Sequence, residues 1–389
     1  MKSAIQAGVN RIDKLLRIVV DKKASDLHLA VGSPPMIRVD GDLERLKWRT
    51  LTEEEYESLL VPIAPEKPLH DWREKGDTDF AYSMGQLARF RVNMFRQEHG
   101  SGAVLRMIPP RVLAIEELGL PPIVASVARI PRGLVLVTGP TGSGKSTTLA
   151  ALLDWINRTR ASHIVTIEDP VEFLHTPQKS LISHRELGFD TPTFAGALKA
   201  ALREDPDVVL VGELRDLETM SMALQAAETG LLVFGTLHTN SAAKAVDRLI
   251  DSFPAEEQEQ TRTVLAEVIK GVVAQVLLKK RGGGRVAAFE VLRGSSALSN
   301  NIREGKTAMI NTLIQTGRTA GMVGMDQYLA DLVVSDVVDS DEALEKALDK
   351  EQFKSLVEKR RQSPRTPSGA AVPAPAAPRP PTGTADAHR

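Results

Sequence analysis

No cysteine occurs among the 389 residues. That excludes a disulfide scaffold and any cysteine-ligated zinc module, and it fits a reducing cytosol. Aromatic residues make up only 4% of the chain, so there are few platforms on which bases could stack. Neither sign of charge prevails: 49 Lys and Arg against 50 Asp and Glu leave a formal net charge of −1. Without a basic field, neither nucleic acid nor an anionic membrane surface is an expected partner. No apolar run approaches the roughly 18 residues of a membrane span. Met1-Lys2-Ser3-Ala4-Ile5 leads into no long apolar stretch of the secretory kind. Direct membrane insertion is therefore not expected, and any membrane association would run through a partner. Hydrophobic residues still reach 42%, ample for the cores of two or three domains.

What is present divides the chain into three parts. Residues 1–110 read as a mixed α/β unit. Ile12, Leu15, Leu16, Val19 and Val20 share one face of a helix expected around 10–22. Ser25-Asp26-Leu27-His28-Leu29 alternates like a strand, and Asp40-Gly41 after Met36-Ile37-Arg38-Val39 signals a hairpin turn. A second alternating strand runs from Ala88 to Arg96, and Ile108-Pro109-Pro110 reads as a linker. Residues 115–355 alternate apolar strands with helical patterns, the signature of a mainly parallel sheet flanked by helices. Strands are expected at 134–138, 163–167, 207–211 and 232–237. A helix is expected at 217–229, stopped by Gly230. From about 360 to 389 the sequence turns to Pro, Ala, Ser, Thr and Gly, a composition that cannot bury enough apolar area to order itself.

The strongest chemical signal is Gly139-Pro140-Thr141-Gly142-Ser143-Gly144-Lys145-Ser146, followed by Thr147. This G-x-x-x-x-G-K-S loop follows the strand Leu134-Val135-Leu136-Val137 and opens into a helix. That context makes it a phosphate loop. Its backbone N–H groups and the positive end of the helix converge on one point, which suits the polyphosphate of ATP. Lys145 is expected to reach the β- and γ-phosphates, and the Ser146 hydroxyl to hold Mg²⁺.

Hydrolysis requires a carboxylate near the γ-phosphate. Val208-Val209-Leu210-Val211 is a buried strand, and Glu213 lies just past its carboxyl end, where ligands of open α/β sheets sit. Glu213 is positioned to hold Mg²⁺ or to polarise the attacking water. Gly212 occupies the place where such strands usually carry an aspartate, which leaves the metal role to Glu213 as well. Ile164-Val165-Thr166-Ile167 ends in Glu168, Asp169 and Glu172, which can orient Mg²⁺ or water; alternatively, Asp169 merely starts the turn at Pro170. His238 follows the strand Phe234-Gly235-Thr236-Leu237. It can sense the γ-phosphate, or it can be purely structural.

Taken together, TIEDPVEFLH (166–175), ALREDPDVVLVGELRDLET (201–219), AETGLLVFGTLHT (227–239), SDLHLAVGSPPMIRVDGDL (25–43) and ARFRVNMFRQ (88–97) join the phosphate loop in one pattern. The pattern resembles the secretion ATPase superfamily, and within it the PilT-like retraction ATPases of type IV pili, over roughly residues 10–345. The resemblance implies a PAS-like N-terminal domain and a RecA-like P-loop ATPase domain in each subunit of a homohexameric ring. It implies a cytoplasmic motor ATPase that uses ATP and Mg²⁺ to do mechanical work on an inner-membrane pilus platform protein. That activity would drive retraction and twitching motility. It places the essential acidic residues on Glu172 and Glu213, with Glu168 and His238 in the same boxes, and leaves open which of Glu172 and Glu213 is the general base. In such proteins arginines near the domain junction contribute to the nucleotide site; Arg91, Arg96 and Arg106 match, though each reads equally well as a solvated strand-face charge.

Two positions depart from that pattern. Leu231 stands where the first histidine of the His box is usual, and its side chain neither donates nor accepts a hydrogen bond. Ala297-Leu298-Ser299-Asn300-Asn301-Ile302-Arg303-Glu304 stands where the retraction motif reads AIRNLIRE. These departures keep an accessory or regulatory paralogue in a mixed ring as an alternative. A pilus-extension or type II secretion ATPase is a second alternative, against which the absence of a tetracysteine module argues.

Overall fold

The computed structural model describes residues 2–39, 41–85, 87–108 and 111–362, with the backbone alone for 2–10. Asp40 of the expected hairpin turn, the two linker prolines and all but the first residues of the 360–389 tail lie outside the described residues.

Contacts divide the chain into two units. The first holds residues 1–112, 165–176 and 182–197. Its opening helix, Lys2–Asp21, turns Ile12, Leu15, Leu16 and Val19 into the core, fully buried. That is the apolar stripe read from the sequence. Val20 packs against the same core and stays partly exposed. Six strands form an antiparallel sheet: β1 (Asp26–Ala30), β2 (Met36–Val39), β3 (Asp42–Arg45), β4 (Asp77–Met84), β5 (Ala88–Gln97) and β6 (Gly100–Ile108), in the order β3-β2-β1-β6-β5-β4. Strand β5 alternates as a half-buried strand must. Ala88, Phe90, Val92 and Met94 face the core, while Arg89, Arg91 and Asn93 lie on the other face. A capping box starts the helix Glu53–Leu60: Thr52 Oγ1 accepts from the Glu55 N–H, and the Glu55 carboxylate accepts from the Thr52 N–H.

The second unit comprises residues 113–164, 177–181 and 198 onward. The seven-stranded sheet contains β7 (Gly133–Thr138), β8 (His163–Glu168), β9 (Leu181–Glu186), β10 (Val208–Val211), β11 (Leu232–Leu237), β12 (Ile269–Lys279) and β13 (Arg285–Arg293). Its order is β13-β12-β7-β11-β10-β8-β9. Strand β7 runs parallel to both β11 and β12, β10 runs parallel to β11, and β13 pairs antiparallel with β12. Every residue of β7, β10 and β11 is buried, as strands covered on both faces must be. The central strands thus match the expected ones, whereas β9, β12 and β13 are additions that the sequence pattern did not separate. The helix Leu217–Glu228 ends on Thr229, and Gly230 follows at φ 109°, a left-handed stop that glycine reaches without strain. No helix among the described residues is long and apolar enough to cross a membrane.

Candidate nucleotide-binding site

Strand β7 ends at Thr138, and the helix Lys145–Thr159 begins seven residues later. The intervening loop needs three left-handed glycines: Gly139 at φ 148°, Gly142 at 78° and Gly144 at 90°. Space is as restrictive as conformation at Gly139, where a Cβ would lie 2.2 Å from the Gln275 carbonyl oxygen. Pro140, Thr141 and Gly142 face solvent, and Gly144, Ser146 and Thr147 are half-buried. Lys145 is buried, and its ammonium donates to the carbonyls of Gly139 (2.7 Å) and Pro140 (3.2 Å). The loop thus holds its cation curled over its own rim.

A residue missed by sequence reasoning fixes the loop from below. Gln275 on β12 is buried; its amide nitrogen donates to the Ser143 carbonyl (2.7 Å) and its amide oxygen accepts from the Thr148 hydroxyl (2.8 Å). Both ends of the amide are used, so one side chain ties the loop to the first turn of the helix. The only sequence signal was a lone amide in the apolar run Val272-Val273-Ala274-Gln275-Val276-Leu277.

The neighbouring strand ends are tied to the loop as well. The Thr138 hydroxyl donates to the Thr239 carbonyl (2.6 Å) and accepts from the Thr239 N–H (2.9 Å). Glu213 follows β10; one carboxylate oxygen meets Arg215 Nε at 2.7 Å and the other His238 Nε2 at 3.3 Å. Glu213 and His238, 25 positions apart in the chain, are brought together because β10 and β11 are parallel neighbours. The Leu214 N–H donates to the Thr236 carbonyl (3.0 Å) and the Thr236 hydroxyl donates to the Gly212 carbonyl, which locks the two strand ends in register. Gly235 lets the Leu214 side chain pack close, since a Cβ there would lie 2.6 Å from a Leu214 methyl.

The other acidic strand end belongs to the first unit. Glu168 is mostly buried, Glu172 is half-buried and Asp169 is exposed. Burial pushes the Glu168 carboxyl up to about 7; the Thr166 hydroxyl bond works against this, and the Glu172 charge adds to it. Beside it, Glu186 accepts from the Val171 N–H (3.0 Å) and meets Arg89 at 3.4 Å. The three sequence-predicted arginines all have local partners in this unit. Arg91 meets Asp79 (3.4 Å), Arg106 meets the buried Asp26 (2.8 Å), and the Arg96 guanidinium lies over the Trp72 ring at 5.4 Å.

The residues of the loop fit a nucleotide. Ser143 Oγ is buried without a hydrogen-bond partner among the described residues. Gly142 has open space where a Cβ would stand, and the carbonyls that accept from the Lys145 ammonium are groups phosphate oxygens can replace. No cluster of three or more His, Asp or Glu among the described residues could hold a metal alone. A divalent ion here would rest on Ser146, Glu213 and phosphate oxygens, the mode usual for Mg²⁺.

A parallel sheet with a phosphate loop, a carboxylate on one neighbouring strand and a histidine on the next defines a P-loop nucleotide-binding ATPase. The chain belongs to the family described as type II/IV secretion system protein, whose model matches residues 4–365. It is 52% identical over 342 residues to the type IV pilus retractation ATPase PilT of Pseudomonas aeruginosa, covering 88% of this chain and 99% of that one. It is 50% identical over 320 residues to a twitching motility protein of Neisseria gonorrhoeae, covering 82% of this chain and 86% of that one. Among solved structures it resembles the pilus retraction motor PilT with bound ADP: 43% identity, TM-score 0.81, covering 88% of this chain and 98% of that one.

Proposed function

We propose that this chain is a motor ATPase that hydrolyses ATP to drive type IV pilus retraction. The reading is carried by the 52% identity to a retraction ATPase across 99% of that protein's length. In this reading the subunits assemble as a homohexameric ring in the cytoplasm and act at the inner membrane through a pilus platform protein.

The chemistry follows from the residues. Lys145 leaves the Gly139 and Pro140 carbonyls and pairs with β- and γ-phosphate oxygens. Mg²⁺, when bound, neutralises charge on the phosphates and is held by the Ser146 hydroxyl and Glu213. Glu213, whose oxygens meet Arg215 and His238 just past the end of β10, is the carboxylate that polarises the attacking water in this reading. In this reading His238 donates to the terminal phosphate while it is intact and returns to Glu213 afterwards. Glu172 and Glu168 supply further acidic groups for water or proton handling, and Arg91 and Arg106 are candidates for charge stabilisation once released from Asp79 and Asp26.

Glu213→Gln is expected to bind ATP like the wild type and to lose turnover, because the loop survives and the carboxylate does not. Normal hydrolysis by that variant would remove Glu213 from the mechanism. Gene deletion separates the cellular readings: excess surface pili with lost twitching supports retraction, and bald cells support extension. A second reading, an accessory subunit of a mixed ring, is favoured by Ser299 and Asn301 in the segment 297–304. Hydrolysis rate measured against oligomer size decides it, since a monomer without turnover would sink the motor reading.

A further inference from the structure

The mostly buried group around Glu168 contains a directional chain of polar contacts. It starts at a donor whose proton cannot move. The backbone N–H of His175 donates to His184 Nε2 at 3.1 Å. That nitrogen is therefore the acceptor, so the neutral ring carries its proton on Nδ1. Nδ1 lies 2.9 Å from Thr166 Oγ1, so the ring N–H donates to the hydroxyl. With that lone pair engaged, the Thr166 O–H is directed away from the ring; Glu168, two positions further along β8 and so on the same face, is the carboxylate beside it. The imidazole itself stands 4.0 Å from Glu168 Oε1, too far for a direct bond, so Thr166 is the necessary intermediary.

Packing holds the chain in one arrangement. The His175 and His184 rings stack at 5.8 Å and 15°. Glu172 and Glu186 face the carboxylate from neighbouring backbone, and Arg89 lies near the imidazole. Burial and the Arg89 charge both hold His184 below its ordinary value, which favours the neutral ring that this polarity requires. Bonds aligned head to tail polarise one another, so a defect at one link weakens the rest.

We propose that His184 is a positioning residue that acts through Thr166 to aim the Glu168 carboxylate for ATP hydrolysis. This rests on the reading above that Glu168 serves the reaction. His184 touches no reacting atom; it sets the direction of the one hydroxyl proton that holds Glu168.

Steady-state hydrolysis by the full chain tests this with four variants. His184→Ala and the near-isosteric Thr166→Val are expected to lower kcat by about tenfold or more while leaving KM for ATP within about twofold. His184→Gln is expected to recover most of the loss, because its amide accepts from the His175 N–H and donates to Thr166. Glu168→Gln sets the floor. Wild-type kcat in Thr166→Val and His184→Ala, with Glu168→Gln inactive, would overturn the inference and leave the Glu168 reading standing. Normal turnover by Glu168→Gln would overturn both. A fall in Tm with kcat per folded subunit unchanged would mark His184 as packing only and likewise overturn it.

Discussion

Gln275 offers the sharpest test of how the nucleotide loop is held. Its amide makes two buried bonds, to the Ser143 carbonyl at 2.7 Å and from the Thr148 hydroxyl at 2.8 Å. Gln275→Ala leaves both partners unsatisfied beneath the loop, and each orphan costs ~1–3 kcal/mol. The summed loss is ~2–6 kcal/mol, less than most of the 5–15 kcal/mol range of folded domains, so the variant is expected to fold. The loop is affected more than the fold, because the Ser143 carbonyl and the Thr148 hydroxyl flank Gly144 and Lys145. Nucleotide affinity is expected to fall by tenfold to a hundredfold, that is ~1.4–2.8 kcal/mol. Gln275→Leu should behave the same way although it fills the volume, since hydrogen bonds rather than packing are at issue. Thr148→Val removes only one bond and should cost about half as much. Urea unfolding followed by tryptophan fluorescence measures the first quantity, and polarisation of a fluorescent ADP analogue the second. If Gln275→Leu bound nucleotide within twofold of wild type, the claim that this amide pre-organises the loop would be refuted.

Gly139→Ala should abolish nucleotide binding while the fold survives: a Cβ there meets the Gln275 carbonyl at 2.2 Å and the residue sits at φ 148°. Tight ADP binding by a folded variant would show that the loop can re-route. Glu168 makes a pH prediction. Burial holds its carboxyl at about 7, above its ordinary 4.5. The folded chain thus binds this proton more tightly than the unfolded chain does. Its stabilising contribution is full below about 4.5 and lost as pH rises to about 7. Glu168→Gln removes that titration, so the stability of the variant relative to wild type should climb by up to ~3 kcal/mol between those values. His175, held down at about 4 chiefly by burial, and His184 titrate in the opposite sense, but they are present in both proteins and largely cancel in the comparison. A flat difference across denaturation curves at pH 4.5, 6 and 8 would contradict the burial account.

The sequence was most legible where a local pattern and a distant one agree. Strand β7, the three glycines and the helix from Lys145 are contiguous, so their roles can be read from spacing alone. Glu213 and His238 were legible separately, as polar residues just past apolar runs. Their 3.3 Å contact was not, because it depends on β10 and β11 being adjacent. The stretch Gln258–Lys279 hid a helix running directly into a strand at Val268 and Ile269. No proline or glycine marks that junction, so periodicity could not isolate β12 or show that Gln275 points at the loop. The arginines illustrate the converse. Alternation along β5 and β6 exposes Arg91 and Arg106, but Asp79 and Asp26 are 12 and 80 positions away. Spacing gives no hint of either partner. His184 carries no motif at all; its role comes from β9 lying against the segment that ends in His175.

Leu231 precedes β11, whereas His238 follows it, and seven residues at ~3.3 Å each put the two ~23 Å apart along the strand. The chemistry lies at the carboxyl ends of the parallel strands, and Leu231 lies at the opposite edge. Its backbone does ordinary work there: its carbonyl accepts from the Gly133 N–H at 2.8 Å and its N–H donates to the Ala226 carbonyl. Any side chain permits both bonds, so replacing an imidazole by leucine costs the sheet nothing and leaves the Glu213–His238 pair intact. The segment 297–304 behaves alike. Leu298 and Ile302 stay buried one turn apart, and the Ser299 hydroxyl donates to the Ala266 carbonyl at 2.6 Å. Both departures thus keep the fold and stand apart from the loop. Neither departure removes a side-chain bond of the phosphate loop or of the Glu213–His238 pair.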